Sequence, residues 1–551
     1  MSSKKIRILV LSESHHLASG FGTYAKEVIS RLQDTGKYEI AEFASWGRKD
    51  QIGEIPWIYY GNLPEENNQQ ENEIYHSNGA NNFGIWRFDR VVMDFKPDVV
   101  LTYRDPWMDQ WIEDSPLRKF FHWIWMPTVD SAPQKREWLE VFQKCDAVFT
   151  YSEFGTKTLN EATHSNINVI ECASPGINPK VFKPVKSKEG LKESLGLQKD
   201  CFIVGTVMRN QRRKLFIELM KSFKTFLENG PKEVTDKTFL YLHTSYPEKS
   251  GWDIGGAAVE LGIAHKIICT YICRSCKRWF PSKFKDAICT CRYCGNRTSF
   301  MPNVSSGLEV PDLVKVYNLF DLYVQYAICE GFGMPQVEAA ACGIPVAATN
   351  YSAMEDVVRH TKGFPIAIDK LFREADTGAD RVYPSNDNLV EVFNLFFTSS
   401  DKFRKQKSQA ARKGAVARYN WDDTALVWEK YIDSYSPVGL QGKWESPASY
   451  KRTIPKEEIP QQVIHSDFVR WLYSNLLQEP ADMFSFEACN FISSLNMGAD
   501  IVNGMEPMSR EKIVEIFQHR VIRHNELERA RTLGTDYGTA YFKKEASQSE
   551  E

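Results

Sequence analysis

The sequence predicts an α/β protein: two doubly wound, Rossmann-like domains facing a cleft, with a small cysteine-rich insert and an α-helical C-terminal extension. Three observations carry this. Short β-branched runs alternate with amphipathic helical stretches from the N-terminus to about residue 435. The alternation begins twice, at Ile6 and at Cys201, on either side of a Lys-, Pro- and Gly-rich connection over 180–200. Beyond residue 460 the pattern is helical only. The 551 residues, 42% hydrophobic and 25% charged, form an ordinary globular mixture long enough for several cores. Lys+Arg 68 against Asp+Glu 71 gives a formal charge of −3. That excludes a chain that binds polyanions through its overall charge; nucleic-acid binding would need a local patch.

The elements follow in order. KIRILVLSE reads as a buried strand and not a signal peptide, because Arg7 interrupts it and Glu13, His15 and His16 follow. Gly20-Phe21-Gly22 then opens a helix whose Ala25, Val28, Ile29 and Leu32 share a face and whose stop is Gly36. Strand, glycine turn and helix make the opening of a doubly wound domain. Strands are expected at KYEIAEFASWG, Asp98–Tyr103, Phe120–Met126, DAVFTYS and INVIECA, with the amide-rich stretch 64–73 as a loop. The second unit begins with strand CFIVGTV and a helix RRKLFIELMKSFKTFLEN. TFLYLHT, a helical turn at AAVELGI, and HKIICTYI precede the cysteine-rich insert. Helix VPDLVKVYNLF, strand DLYVQYA, helix PQVEAAACG, strand IPVAATN and helix AMEDVVR come after it. The expected domains are 1–185, 186–435, the insert 271–300, and a helical extension 436–551. The extension starts with a proline- and charge-rich linker at 440–460 and ends in a disordered tail, KKEASQSEE.

Residues 329–343, CEGFGMPQVEAAACG, carry the decisive pattern. Glu330 and Glu338 enclose seven residues. Gly331 and Gly333 allow a ligand close to the backbone, and Met334–Pro335 starts a helix, with proline suited to its first turn. With forty flanking residues in the same order of elements, this resembles the E-x7-E motif of retaining glycosyltransferases of family 4 (glycosyl transferases group 1), which have the GT-B fold. GTVMRNQRRK resembles the same family's basic motif, with Arg209 and Lys214 enclosing four residues. Arg212 and Arg213 are able to share that role. Gly176-Ile177-Asn178 stands where the family has a GVD-like turn, and YNWDDTALVWEKY resembles its closing helix.

The resemblance implies a nucleotide-sugar-dependent hexosyl- or pentosyltransferase. Its diphosphate would meet Arg209, Lys214 and the helix N-terminus behind Gly331, Phe332 and Gly333. Glu338 would hold the ribose diol and Glu330 the hydroxyls of the transferred sugar. Gly22 would face the diphosphate from the first domain. The family's acceptor side suggests His122 and Asp130. Catalytic metal is not required on this reading, since cationic side chains and a helix end replace it. The acceptor stays open: glycan, small molecule or nucleic acid. A modified-base glycosyltransferase and a non-catalytic GT-B binding protein are the alternatives.

The insert places Cys273-x2-Cys276, fourteen residues, then Cys291-x2-Cys294, with Cys289 as a spare. Paired CxxC motifs at such spacing predict a structural Zn²⁺ ribbon. Seven cations surround it against Asp286 alone, with four aromatic residues between them. The seven other cysteines are scattered, which suits a reducing cytoplasm, and no apolar run is long enough for a membrane span.

Overall fold

The computed structural model describes residues 5–162, 166–303, 306–435, 444, 451–478, 480–497 and 507–533. The expected tail, and much of the expected linker, lie outside the described residues.

The first sheet grows from β1 (Ile6–Glu13), whose Ile8–Leu11 are fully buried. It continues with β2 (Tyr38–Ser45), β3 (Ile58–Gly61), β4 (Val99–Thr102), β5 (His122–Trp125), β6 (Ala147–Thr150) and β7 (Val169–Cys172). All neighbours pair in parallel, in the order β3-β2-β1-β4-β5-β6-β7. Near-continuous apolar strands of this kind demand cover on both faces, which helices supply. The helix Gly20–Asp34 buries Ala25, Val28, Ile29 and Leu32 as its periodicity requires.

The second sheet contains β8 (Phe202–Val207), β9 (Thr238–His243), β10 (Ile267–Cys273), β11 (Trp279–Lys283), β12 (Ile288–Cys289), β13 (Ser299–Phe300), β14 (Leu322–Gln325), β15 (Val346–Thr349) and β16 (Phe364–Ile366). Its order is β12-β13-β10-β9-β8-β14-β15-β16, with β11 on β10. The strands outside the insert are parallel, whereas β11, β12 and β13 run antiparallel and extend the edge. A separate hairpin pairs β17 (Ile368–Arg373) with β18 (Asp380–Pro384).

The helix Trp421–Ser434 returns to the first sheet's unit. Trp428 Nε1 donates to Tyr24 Oη at 2.8 Å and Thr424 Oγ1 to the Ser174 carbonyl at 2.5 Å. The helices His465–Leu472, Phe486–Asn496 and Arg510–Leu533 build a small core of their own around Phe468, Leu472 and Phe517. Arg136 donates to the Phe484 carbonyl, and Arg523 pairs with Asp89, so this module sits on the first unit.

Three expectations change. Residues 64–73 are not all loop: Gln69–Ser77 is a helix, and Asn68 Oδ1 caps it by accepting from the Glu71 amide at 3.0 Å. The connection 180–200 contains a helix, Lys188–Ser194. The helix expected from Arg212 starts at Phe216, because Arg213 and Lys214 are held in a turn against the segment after β14.

Candidate functional site

Parallel neighbours present their C-terminal ends at one edge, and that edge collects the side chains of interest. β8 and β14 are adjacent. The turn after β8 runs along the segment after β14: the Leu215 amide donates to the Tyr326 carbonyl at 3.1 Å, and the Ile328 amide to the Arg213 carbonyl at 3.0 Å. Asn210 fixes the turn from the other side, accepting from the Trp252 amide at 2.8 Å and donating to its carbonyl at 2.9 Å.

Glu330 is the centre of this edge and is 5% exposed. It accepts from Arg213 Nη1 at 2.8 Å and from Gln325 Nε2 at 2.5 Å, and it pairs with Lys214. Tyr323 Oη orients Gln325 by donating to its Oε1 at 2.5 Å. The Glu330 amide donates to Ser352 Oγ at 3.0 Å. Two cations on one buried carboxylate leave a net positive charge beside the glycine turn. Burial, and secondarily Arg213, pull the Lys214 ammonium well below its ordinary pKa, and Cys329 and Asp130 oppose them.

The glycine turn leads into the helix Met334–Ala341, with Pro335 in its first turn and Gly333 at φ 82°, a left-handed position that favours glycine. A Cβ on Gly331 would lie 2.3 Å from Thr128 Cγ2, so the first unit closes directly onto this turn. Phe332 is buried against Tyr419 at 5.4 Å between ring centres; its ring anchors the turn from below. Glu338 is half-buried one turn into the helix and accepts from Tyr317 Oη at 2.5 Å. Burial pushes its carboxyl up to about 7, and the Tyr317 hydrogen bond only partly offsets that.

The remaining sequence candidates divide. Arg209 is half exposed and donates to Glu248 Oε1 at 3.0 Å, so Arg213, not Arg209, shares Glu330 with Lys214. Gly22 sits where a Cβ would meet the Ser14 and Leu17 carbonyls at 2.7 Å. Its amide donates to Ser19 Oγ at 3.0 Å, and Ser19 in turn donates to Glu13 at the end of β1. Asp130 reaches across the cleft to Arg381 Nη1 at 2.7 Å and accepts from the Cys329 thiol at 3.3 Å. His122 is not brought to the cluster. It begins β5, at the end of the sheet away from the cleft, stacked on Tyr435 at 3.9 Å and bonded to Tyr431 Oη at 3.0 Å.

Sequence reasoning missed Asp105, Glu13, Gln325 and Tyr317. Asp105 follows β4 and occupies the N-cap position of the short helix Pro106–Asp109 without a side-chain capping bond. Burial pushes it up to about 6, with Asp130 and Glu13 adding and Arg213 opposing. Burial also raises Glu13, against Ser19, Arg104 and Arg209. For Glu13 and Gln325 the polar residue ending a strand was the available signal; Asp105 lies three residues past β4 and Tyr317 within the helix Val310–Leu319.

In the insert, the Sγ atoms of Cys273, Cys276, Cys291 and Cys294 lie within 4.8 Å of one another. Cys273–Cys294 and Cys276–Cys291 are 3.6 and 3.7 Å apart. A tetrahedron of thiolates about 2.3 Å from zinc has edges of about 3.8 Å, so donor set and spacing both fit that ion. The two CxxC turns repeat one geometry: Lys277 N donates to the Cys273 carbonyl at 2.9 Å and Gly295 N to that of Cys291 at 3.0 Å, with both residues left-handed. Cys289 lies in β12, outside the four. Several of the insert's cations are engaged: Arg274 over Phe300, Arg278 and Arg292 over Tyr293, and Lys283 over Phe239. Arg292 also donates to the Leu195 carbonyl at 2.6 Å, tying the second knuckle to the turn before β8.

Comparison with known proteins follows the same lines. Residues 301–413 match the family Glycosyl transferases group 1. A 148-residue stretch, 27% of this chain, is 24% identical to the serotype-specific mannosyltransferase WbdA of Escherichia coli and spans 16% of that protein. Among solved structures, sucrose-phosphate synthase from Thermosynechococcus elongatus superposes with a TM-score of 0.56 at 16% identity, covering 78% of this chain and 99% of that one. Anabaena HepE, in complex with UDP and glucose, gives 0.52 at 15% identity, covering 78% and 100%. No described helix is long and apolar enough to cross a membrane. The architecture is the GT-B fold of these structures, and residues 301–413 match the Glycosyl transferases group 1 model.

Proposed function

We propose that the protein is a glycosyltransferase that moves a sugar from a nucleotide-sugar donor to an acceptor with retention of anomeric configuration. The observation that carries this is the Glu330 cluster: Lys214 and Arg213 on one buried carboxylate, at a glycine turn that opens a helix, with Glu338 a turn further in. A diphosphate placed over the turn meets the two cations and the positive end of the helix together. Arg209 borders the same edge and adds charge once it leaves Glu248. Those groups stabilise the leaving diphosphate as the bond from the anomeric carbon to its phosphate oxygen breaks. The new bond forms on the same face, and that phosphate oxygen takes the acceptor's proton, so no separate nucleophile is needed. Glu330 holds hydroxyls of the transferred sugar, and Glu338 the ribose diol.

The first unit, up to about residue 185, supplies the acceptor side, with Gly22 shaping the turn opposite the diphosphate and Asp130 at the closing edge. Residues from 186 supply the donor side. Zn²⁺ in the four-cysteine site is structural: four thiolates leave no position for a substrate. The engaged cations around it support a staple over a nucleic-acid grip. HepE's complex makes UDP-sugars the first probes, followed by GDP- and ADP-sugars. One of these donors should be hydrolysed by the purified protein, at least tenfold more slowly after Glu330→Gln. A panel in which no donor is turned over or bound would overturn the reading.

A further inference from the structure

At the C-terminal edge of the first sheet, the chain builds an aromatic wall that the donor reading does not use. Trp46 follows directly on β2, Trp107 lies five residues beyond β4, and Phe83 stands between them. Phe83 meets Trp46 at 5.5 Å and Trp107 at 4.8 Å between ring centres, each at 88°. Both indoles thus stand at right angles to one ring, the edge-to-face arrangement that the ring quadrupole favours. Trp107 is 48% exposed, a large apolar face left open to solvent.

The wall is held from beneath at some cost. Trp46 adopts φ 55°, a left-handed backbone that bulky residues avoid and that persists only where the surroundings impose it. Arg104 is fully buried under the wall. It donates to the Phe83 carbonyl at 3.0 Å, to Ser45 Oγ at 2.5 Å and to Asp109 Oδ1 at 3.0 Å, so it ties β2, the Phe83 turn and the Trp107 helix together. A core interaction would bury Trp107; here the support is built and the face is left open.

The neighbours of the wall decide what fits it. Asp105, two residues before Trp107 and partly buried, lies within electrostatic reach of Asp130, Glu13 and Arg213. Glu13 pairs in register with Ser45, the residue before Trp46. An open aromatic face beside carboxyl groups suits a ligand with one apolar C–H face and a rim of hydroxyl donors. That is the surface of a sugar ring. A phosphate-bearing ligand would meet two carboxyls there, while Arg104, the cation of the wall, is already consumed by its three partners.

We propose that Trp46, Phe83 and Trp107 form a saccharide-binding platform, so that the acceptor is a sugar or glycoside whose ring lies on Trp107 with a hydroxyl directed to Asp105. The proposal rests on the glycosyltransferase reading for the direction of transfer, but the platform itself is testable without a donor.

The test is saturation-transfer NMR on the full chain with methyl α-D-glucopyranoside, methyl α-D-mannopyranoside and sucrose, alongside an oligothymidylate and, separately, UDP. Wild type should transfer saturation to the ring protons of at least one saccharide. Trp107→Ala should weaken that binding about tenfold, while Trp107→Phe stays within about threefold and UDP binds all three proteins alike. The platform is overturned if no saccharide binds, if Trp107→Ala binds it as wild type does, or if the oligothymidylate alone binds in a Trp107-dependent way. Saccharide binding lost in Trp107→Ala, in a protein that does not bind UDP, would uphold the platform and reject the donor site.

Discussion

Glu338 connects burial to donor affinity in a way that pH exposes. Its carboxyl is pushed up to about 7 by burial, so the ligand-free protein is half protonated there near neutrality. A ribose diol donates two hydrogen bonds and needs the carboxylate form. Binding should therefore weaken as pH falls through 7. With that pKa the ionised fraction is about 0.9 at pH 8 and about 0.1 at pH 6, a loss of about tenfold worth about 1.4 kcal/mol. Isothermal titration of UDP at pH 6, 7 and 8 measures this. UDP's own phosphate titration is common to all proteins, so Glu338→Gln is the control: it should bind more weakly at pH 8 and show a correspondingly flatter pH dependence. Stability supplies a second reading. A carboxyl whose folded pKa is raised makes the wild type lose stability as pH rises from the ordinary carboxyl range to about 7. The melting temperature of Glu338→Gln relative to wild type should therefore climb across that window and level off above it. Equal pH slopes for UDP binding in the two proteins would refute the assignment of Glu338 to the diol.

Three further outcomes follow from the geometry. Metal analysis should find about one Zn²⁺ per chain, lost in a Cys273→Ser/Cys294→Ser double variant that still binds UDP; carefully purified protein without metal would remove the zinc assignment. Gly331→Ala puts a methyl 2.3 Å from Thr128 Cγ2 and should cut donor turnover about tenfold by holding the cleft open, and Thr128→Ser, which deletes that Cγ2, should restore most of it. Asp130→Ala leaves Arg381, 7% exposed, without its cross-cleft partner, and should lower stability by about 1.5–3 kcal/mol in urea unfolding.

The fold was legible because each β-branched run and each amphipathic helix repeats a period that a parallel sheet imposes. The glycine turn and helix start between Glu330 and Glu338 were legible because they are a local geometry. What failed was tertiary. Which of Arg209, Arg213 and Lys214 meets Glu330 depends on the Asn210–Trp252 bonds that set the turn, and no spacing encodes those. His122 was misplaced because FHWIW is buried on both faces: the run marks a strand without showing which end of it reaches the cleft. The helix Gln69–Ser77 was hidden by its amides, although Asn68-x-x-Glu71 is a readable capping pattern. The contact of Thr128 with Gly331 joins residues about two hundred apart in sequence and belongs to domain closure alone.

The central claim is that a donor diphosphate sits on the cations gathered at Glu330. Titrating UDP, GDP and ADP into wild type and Lys214→Gln tests it most directly. One nucleotide should bind wild type, and the variant should lose about ten- to a hundredfold, the worth of one charge-assisted hydrogen bond in a closed site. Equal affinity in the two proteins, or no binding of any of the three to wild type, would contradict it.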